Sequence, residues 1–234
     1  SYPGPLGQIV QNLVDNALVH AFDPGVKGVV TVRGQLDEAQ GQCVIEVIDD
    51  GRGMDAELLG KIFDPTAHAL PNGCAQFAQS PQTLVFDDFV RIYFSTRAVD
   101  PKNGKFLSHI AFVDVAADMR TVIRVADKPV IPLGELGCFD EHGIFPINVV
   151  RHDGKISAFT CGWNRRVSVS VDTAVGLAES HDDGLTFTKL GHGPVMGASL
   201  HEPCLVGDAF VLPVDGVFHM WYIFGTGWKQ YADG

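Results

Sequence analysis

A short aromatic and β-branched run led by an Asp or Gly turn occurs three times in the second part of this 234-residue chain. The copies are Asp88-Phe89-Val90-Arg91-Ile92-Tyr93-Phe94-Ser95, Asp153-Gly154-Lys155-Ile156-Ser157-Ala158-Phe159 and Asp215-Gly216-Val217-Phe218-His219-Met220-Trp221-Tyr222. Aligned on Ile92, Ile156 and Met220, they lie 64 residues apart. An even period of that length marks a repeated sheet unit that covers its apolar face only by stacking on its neighbours. The whole stretch after Thr66 shares this texture, with β-rich runs alternating with Gly, Asp, Asn and Pro turns.

The period predicts all-β structure built as blades of a β-propeller, four strands to a blade. The 168 residues after Thr66 supply about 2.6 blades, fewer than the four or so that close a ring. The sequence therefore predicts an incomplete propeller over 67–234. Within it, Ser180-His181-Asp182-Asp183-Gly184-Leu185-Thr186-Phe187 fits the S-x-D-x-G-x-T-[FW] Asp box, a hairpin turn with a structural role.

Residues 1–66 read differently. From Leu6 to Phe22 the apolar positions Val10, Leu13, Val14, Ala17, Leu18 and Ala21 recur at steps of three and four, one face of an amphipathic helix that Asp23-Pro24-Gly25 ends. The β-prone runs Val29 to Arg33 and Cys43 to Ile48 suit a hairpin, and a short helix is expected from Asp55 through Ile62. Asn12 and Asn16, four apart, stack on one side of the first helix, where amide oxygens suit magnesium. Asp49 opens a glycine-rich turn in which a carboxylate can accept from an exocyclic amine, while Gly51 and Gly53 let the backbone approach a flat ring.

Three segments here resemble sensor histidine kinases. Gln8-Ile9-Val10-Gln11-Asn12-Leu13-Val14-Asp15-Asn16-Ala17 is similar to the N box, Asp49-Asp50-Gly51-Arg52-Gly53-Met54 to the first glycine box, and Lys61-Ile62-Phe63-Asp64-Pro65 to the phenylalanine box. The resemblance implies a partial Bergerat-type α/β sandwich over 1–66, with Asn16 ligating magnesium, Asn12 supporting it and Asp49 binding adenine. After Pro65 nothing matches the family's lid or second glycine-rich box, so the phosphate end of the site is missing. No upstream phospho-accepting histidine is expected either, since His20 lies inside the N-box helix. ATP and Mg2+ are expected only were this part completed, and histidine kinase activity is not expected.

The later part resembles bacterial five-bladed propellers related in fold to arabinanase- and invertase-type glycosidases. The resemblance rests on Arg91 to Arg97, Gly134-Glu135-Leu136-Gly137-Cys138-Phe139-Asp140, Gly162-Trp163-Asn164, His201-Glu202-Pro203 and Met220-Trp221-Tyr222 with Gly225-Thr226-Gly227-Trp228. Glycoside hydrolysis uses two carboxyl groups flanking the scissile bond. In the arabinanase type the second blade carries a tuning Asp and the third the acid Glu, which by repeat position implies Asp140 and Glu202. The first-blade place, near Gln76 to Pro81, has no carboxylate. Arg97, Trp163 and Trp228 are the candidate sugar contacts.

The net charge of −11 leaves no basic stripe for nucleic acid or an anionic bilayer, and no apolar run approaches the ~20 residues of a spanning helix. With no leader sequence evident, a cytoplasmic location is favoured. The five cysteines include no C-x-x-C pair and read as reduced, mostly buried thiols. A carbohydrate partner is compatible with the sequence, and nothing in it fixes an oligomeric state. Two fragments joined near residue 66 account for both truncated motif sets. The alternatives are a nucleotide-binding signalling fragment and a non-catalytic sugar-binding propeller.

Overall fold

The computed structural model describes residues 22, 27–37, 42–51 and 63–230. The chain divides into two compact units, 1–61 and 62–234. The expected helices over 6–22 and 55–62, and with them Asn12, Asn16 and Gly53, lie outside the described residues.

In the first unit β1 (Val30–Asp37) and β2 (Gln42–Asp49) form the expected antiparallel hairpin, paired from Val30 opposite Asp49 to Asp37 opposite Gln42. Both strands run further toward the turn than the β-prone runs alone suggest, because ladder pairing carries polar residues along with their apolar neighbours.

The second unit is all β among its described residues apart from two 3-10 turns, Pro65–Ala67 and Pro71–Gly73. Its strands are β3 (Gln76–Val85), β4 (Phe89–Val99), β5 (Phe106–Ala116), β6 (Val122–Val125), β7 (Gly143–His152), β8 (Lys155–Arg165), β9 (Val171–Ser180), β10 (Thr188–Lys189), β11 (Cys204–Val214) and β12 (Val217–Gly225). They make two antiparallel four-stranded meanders, β3 to β6 and β7 to β10, and a third hairpin, β11–β12. One parallel bridge, Ser108 opposite Gly143, joins the meanders.

Each of the three recurring runs becomes the second strand of its repeat, entered from a tight turn. Asp153, Gly154, Asp215 and Gly216 all have positive φ, the left-handed conformation that Asp tolerates and Gly favours. Counted from the turns, Phe89, Lys155 and Val217 begin equivalent strands, so the true intervals are 66 and then 62 residues. The equivalent of Ile92 and Met220 is therefore Ala158 rather than Ile156. A two-residue offset keeps side chains on the same face of a strand, which is why the apolar pattern conceals it.

The first strands of the three repeats lie side by side. Asn148 on β7, 5% exposed, accepts from Val211 N on β11 at 3.0 Å and donates to Gln82 Oε1 on β3 at 3.3 Å. Arg151, three residues on, donates to Val85 O, three residues beyond Gln82, so β3 and β7 run in the same direction. A Cβ on Gly207 would meet Cys161 Sγ at 2.6 Å, level with the first part of β7, while Val211 meets its middle, so β11 runs the same way. The starts of β3, β7 and β11 thus share one end of the unit. Asn148→Ala is expected to cost about 1–3 kcal/mol in urea unfolding, because it strands the buried Val211 N–H.

The Asp box forms as expected, between β9 and β10. Ser180 Oγ donates to Asp182 Oδ1 at 2.8 Å and accepts from Gly184 N at 2.8 Å, while Asp182 accepts from Thr186 N and Oγ1. Phe187 is 3% exposed and enters the main core. The box also clamps the first meander: Arg91 donates to Asp183 O at 2.7 Å and Tyr93 Oη to Gly184 O at 2.8 Å. Arg91, 2% exposed, is held bidentate by Asp114 at 2.7 and 2.8 Å, with Phe112 4.2 Å beneath the guanidinium.

Phe63 belongs to this unit, stacked on His68 at 4.9 Å and against Phe94 at 5.3 Å. The last segment that resembles the phenylalanine box thus packs with the β-rich part. On the third hairpin Phe218, Trp221, Ile223 and Phe224 are exposed. Cys74, Cys138, Cys161 and Cys204 are free thiols. Burial pushes Cys74 up to about 11 and Cys161 up to about 12. Native alkylation at pH 8 is therefore expected to spare both, read by mass spectrometry of tryptic peptides, and to modify them only after unfolding.

Candidate functional site

The shared end of β3, β7 and β11 collects the chemically capable side chains. Asp140 lies three residues ahead of β7, and Glu202 two residues ahead of β11. The segment leading into β3 holds no carboxylate between Asp64 and Asp87. Because antiparallel neighbours reverse direction, the end of β4 with Arg97, the start of β5 with Phe106 and Ser108, and the end of β8 with Trp163 and Arg165 lie at this end as well.

Asp140 is 1% exposed. Its carboxylate fills the space that Gly134 and Gly162 leave open: a Cβ on Gly134 would come within 2.2 Å of Oδ1, and one on Gly162 within 2.5 Å of Asp140 Cβ. Lys189 Nζ stands 2.5 Å from Oδ2. That contact is an ion pair out of hydrogen-bond alignment, and neither oxygen has a hydrogen-bond partner. The carboxylate is fixed by packing and charge, inside the protein.

Glu202 is half-buried. Tyr222 Oη donates to Oε1 at 2.7 Å and Ser199 Oγ to Oε2 at 3.2 Å, and the backbones of Ser199 and Glu202 bond reciprocally. The bond to Glu202 pushes the Tyr222 hydroxyl above its usual range. Its sequence neighbours His201 and Pro203 are exposed, as is Trp228. Its setting is made by Tyr222, which lies on the adjacent strand.

Trp163 is half-buried, with the Arg165 guanidinium 5.4 Å from its ring centroid and the His142 ring stacked at 6.0 Å. Burial first, and then the Arg165 charge, pull the His142 pKa below its ordinary value. Arg97 is half-buried, over Phe77 at 5.0 Å and Phe106 at 6.0 Å. Trp228 is 45% exposed just past β12. Sequence reading missed Arg165, His142, Phe106 and Lys189. The first three become visible only when strand pairing brings β5, β7 and β8 together, and Lys189 lies nearly fifty residues from the group it pairs with.

In the first unit Asp49 is exposed and its Oδ1 accepts from Gly51 N at 3.1 Å, closing the glycine turn on itself. Asp50 Oδ1 accepts from Val29 N at 2.6 Å. Among the described residues no group of three or more His, Cys, Asp or Glu is placed to hold a metal, and no helix is long and apolar enough to cross a membrane.

Comparisons with known proteins point in two directions. Residues 2–80 match the family model described as histidine kinase-, DNA gyrase B-, and HSP90-like ATPase, a stretch that runs past residue 66 into β3. Two uncharacterized proteins from Mycobacterium tuberculosis strains CDC 1551 / Oshkosh and ATCC 25618 / H37Rv are each 27% identical over 175 residues, covering 75% of this chain. The chain spans 56% of the length of these relatives. Among solved structures, a BT0996 RGII complex superposes with a TM-score of 0.52 at 15% identity, covering 91% of this chain and 73% of its own. Another, described as a glycoside hydrolase, has a TM-score of 0.50 at 15% identity with the same coverage. Likeness at this identity is likeness of fold. The chain therefore combines an ATPase-like N-terminal match with a β fold found in glycoside hydrolases.

Proposed function

We propose that the second unit is part of a carbohydrate-active propeller, its two meanders and third hairpin corresponding to about two and a half blades, and that it engages glycan at the end where β3, β7 and β11 begin. The observation that carries this reading is the equivalent placement of Asp140 and Glu202, each just ahead of the first strand of its repeat. Glu202, reachable and hydrogen-bonded by Tyr222, is the proton donor to the leaving oxygen. Asp140, sealed beside Lys189, is a positioning carboxylate whose field acts on the site without touching sugar. Trp163 and Arg97 line the sugar path, and Trp228 borders it. Activity of the full chain against a panel of aryl glycosides and plant-type oligosaccharides tests the proposal; the expected result is turnover of at least one substrate that Glu202→Gln removes.

A specific observation favours a second reading, a propeller that binds sugar without cleaving it. The place ahead of β3 offers Asn72, Gly73 and the buried thiol Cys74, and no carboxylate to act as base or nucleophile. Saturable oligosaccharide binding without turnover, unchanged by Glu202→Gln, would select it.

For the first unit we infer an ATPase-derived fold that does not hold ATP, since no lid or second glycine-rich box follows Pro65. Titration with ATP and Mg2+ is expected to show no saturable binding in the micromolar range, and a clear isotherm would overturn this inference. Were the fold completed, Asp49, Gly51 and Gly53 would receive adenine, and Asn12 and Asn16 the magnesium.

A further inference from the structure

The chain has 28 acidic and 17 basic residues, so carboxylates are available to its arginines. Arg91 holds Asp114 and Arg166 holds Asp172. Arg97 and Arg165 are different. Arg97 meets the rings of Phe77 and Phe106, and its Nε is buried with no hydrogen-bond partner. Arg165 covers Trp163 and donates from Nη2 to Phe106 O at 2.5 Å, and its Nη1 is likewise buried and without a partner. Both guanidinium groups thus touch Phe106, one at its ring and the other at its carbonyl, and neither has an acidic partner among the described residues.

The acids nearby are committed elsewhere. Asp100 accepts from Lys102 N and Asn103 Nδ2 within its own turn. Glu141 Oε2 accepts from Gly137 N, and its other oxygen stays 3.8 Å from His142. A desolvated N–H left without an acceptor costs free energy that a ligand able to accept from it recovers. Two forked guanidinium groups meeting one aromatic residue that is 42% exposed, Arg97 at its ring and Arg165 at its carbonyl, form a pattern complementary to a sugar ring carrying a planar or tetrahedral anion.

We propose that Arg97 and Arg165, with the Phe106 that both of them meet, form a subsite for an anionic sugar residue, a uronate or a sulfate ester, within the glycan-binding end of the second unit. This rests on the carbohydrate reading above and deepens it by naming the substrate class. The anion accepts from the remaining N–H groups of the two guanidiniums, Arg97 Nη1 and Nη2 and Arg165 Nε, next to the buried Arg97 Nε and Arg165 Nη1, and the sugar face lies on Phe106. The same chemistry selects against neutral glycans, which leave these N–H groups without a charged acceptor.

The test is calorimetric titration of the full chain with three probes: oligogalacturonate, sulfated galactan oligomers and neutral arabinan oligomers. Wild-type protein is expected to bind at least one anionic probe at least tenfold more tightly than the neutral one, weakening several-fold between 50 and 500 mM NaCl, a measurement that depends on no variant. Arg97→Gln and Arg165→Gln are each expected to weaken anionic binding at least tenfold and to weaken any neutral binding far less; Arg124→Gln, on the outer strand β6, is expected to change neither. Thermal unfolding of each variant separates loss of the site from loss of the fold. The two anionic probes distinguish uronate from sulfate. Neutral binding equal to or tighter than anionic binding, or anionic binding indifferent to both substitutions, overturns the subsite while sparing the carbohydrate reading. Absence of binding by all three probes overturns both.

Discussion

Glu202→Gln is expected to reduce turnover of oligosaccharide substrates by about a hundredfold to ten-thousandfold, the range of a lost general acid. Glutamine keeps the side-chain length and an oxygen for Tyr222 Oη, which donates at 2.7 Å in the native protein, so the site is expected to keep its shape while losing its transferable proton. The effect should depend on the leaving group. An aryl glycoside that releases a phenolate of low pKa needs little protonation, and its rate should fall far less than that of an alkyl-linked sugar. Tyr222→Phe removes the hydroxyl that orients the Glu202 carboxyl group and is expected to lower turnover without abolishing it. Equal losses for all leaving groups, or none, would remove Glu202 from the role of acid.

Asp114→Ala should produce the largest loss of stability in the second unit. It strands the Arg91 guanidinium, 2% exposed, without its bidentate partner, and breaking such a buried pair from one side costs about 3–5 kcal/mol. Arg91 also grips Asp183 O, so the damage should spread from the first meander to the Asp box of the second. The double variant Arg91→Met, Asp114→Leu is expected to be less destabilised than the single one, because no charge remains to be desolvated. Urea unfolding followed by tryptophan fluorescence reads both. A single variant within about 1 kcal/mol of the native protein would show that water or a rearranged neighbour solvates the arginine.

What is legible in the sequence is what local chemistry encodes. Asp153-Gly154 and Asp215-Gly216 announce their hairpins, and the Asp box specifies its own hydrogen bonds through Ser180, Asp182 and Thr186. The placing of Asp140 and Glu202 ahead of repeated strands is also readable, because it depends only on counting within a period. What cannot be read depends on pairing across the sheet. Ile156 passes for Ala158 because both point to one face. Phe106, His142 and Arg165 are scattered over sixty residues and converge only when β5, β7 and β8 assemble, and the sealing of Asp140 by Lys189 requires the loop ahead of β7 to meet β10.

The position of Phe63 has a practical consequence for anyone wishing to study the halves apart. Motif resemblance invites a cut after Pro65 or Thr66, yet that cut would strip an aromatic plug from the β-rich half, uncovering Phe94 and removing the ring that stacks on His68. Severing the chain at Lys61 instead keeps the plug with the strands it stoppers.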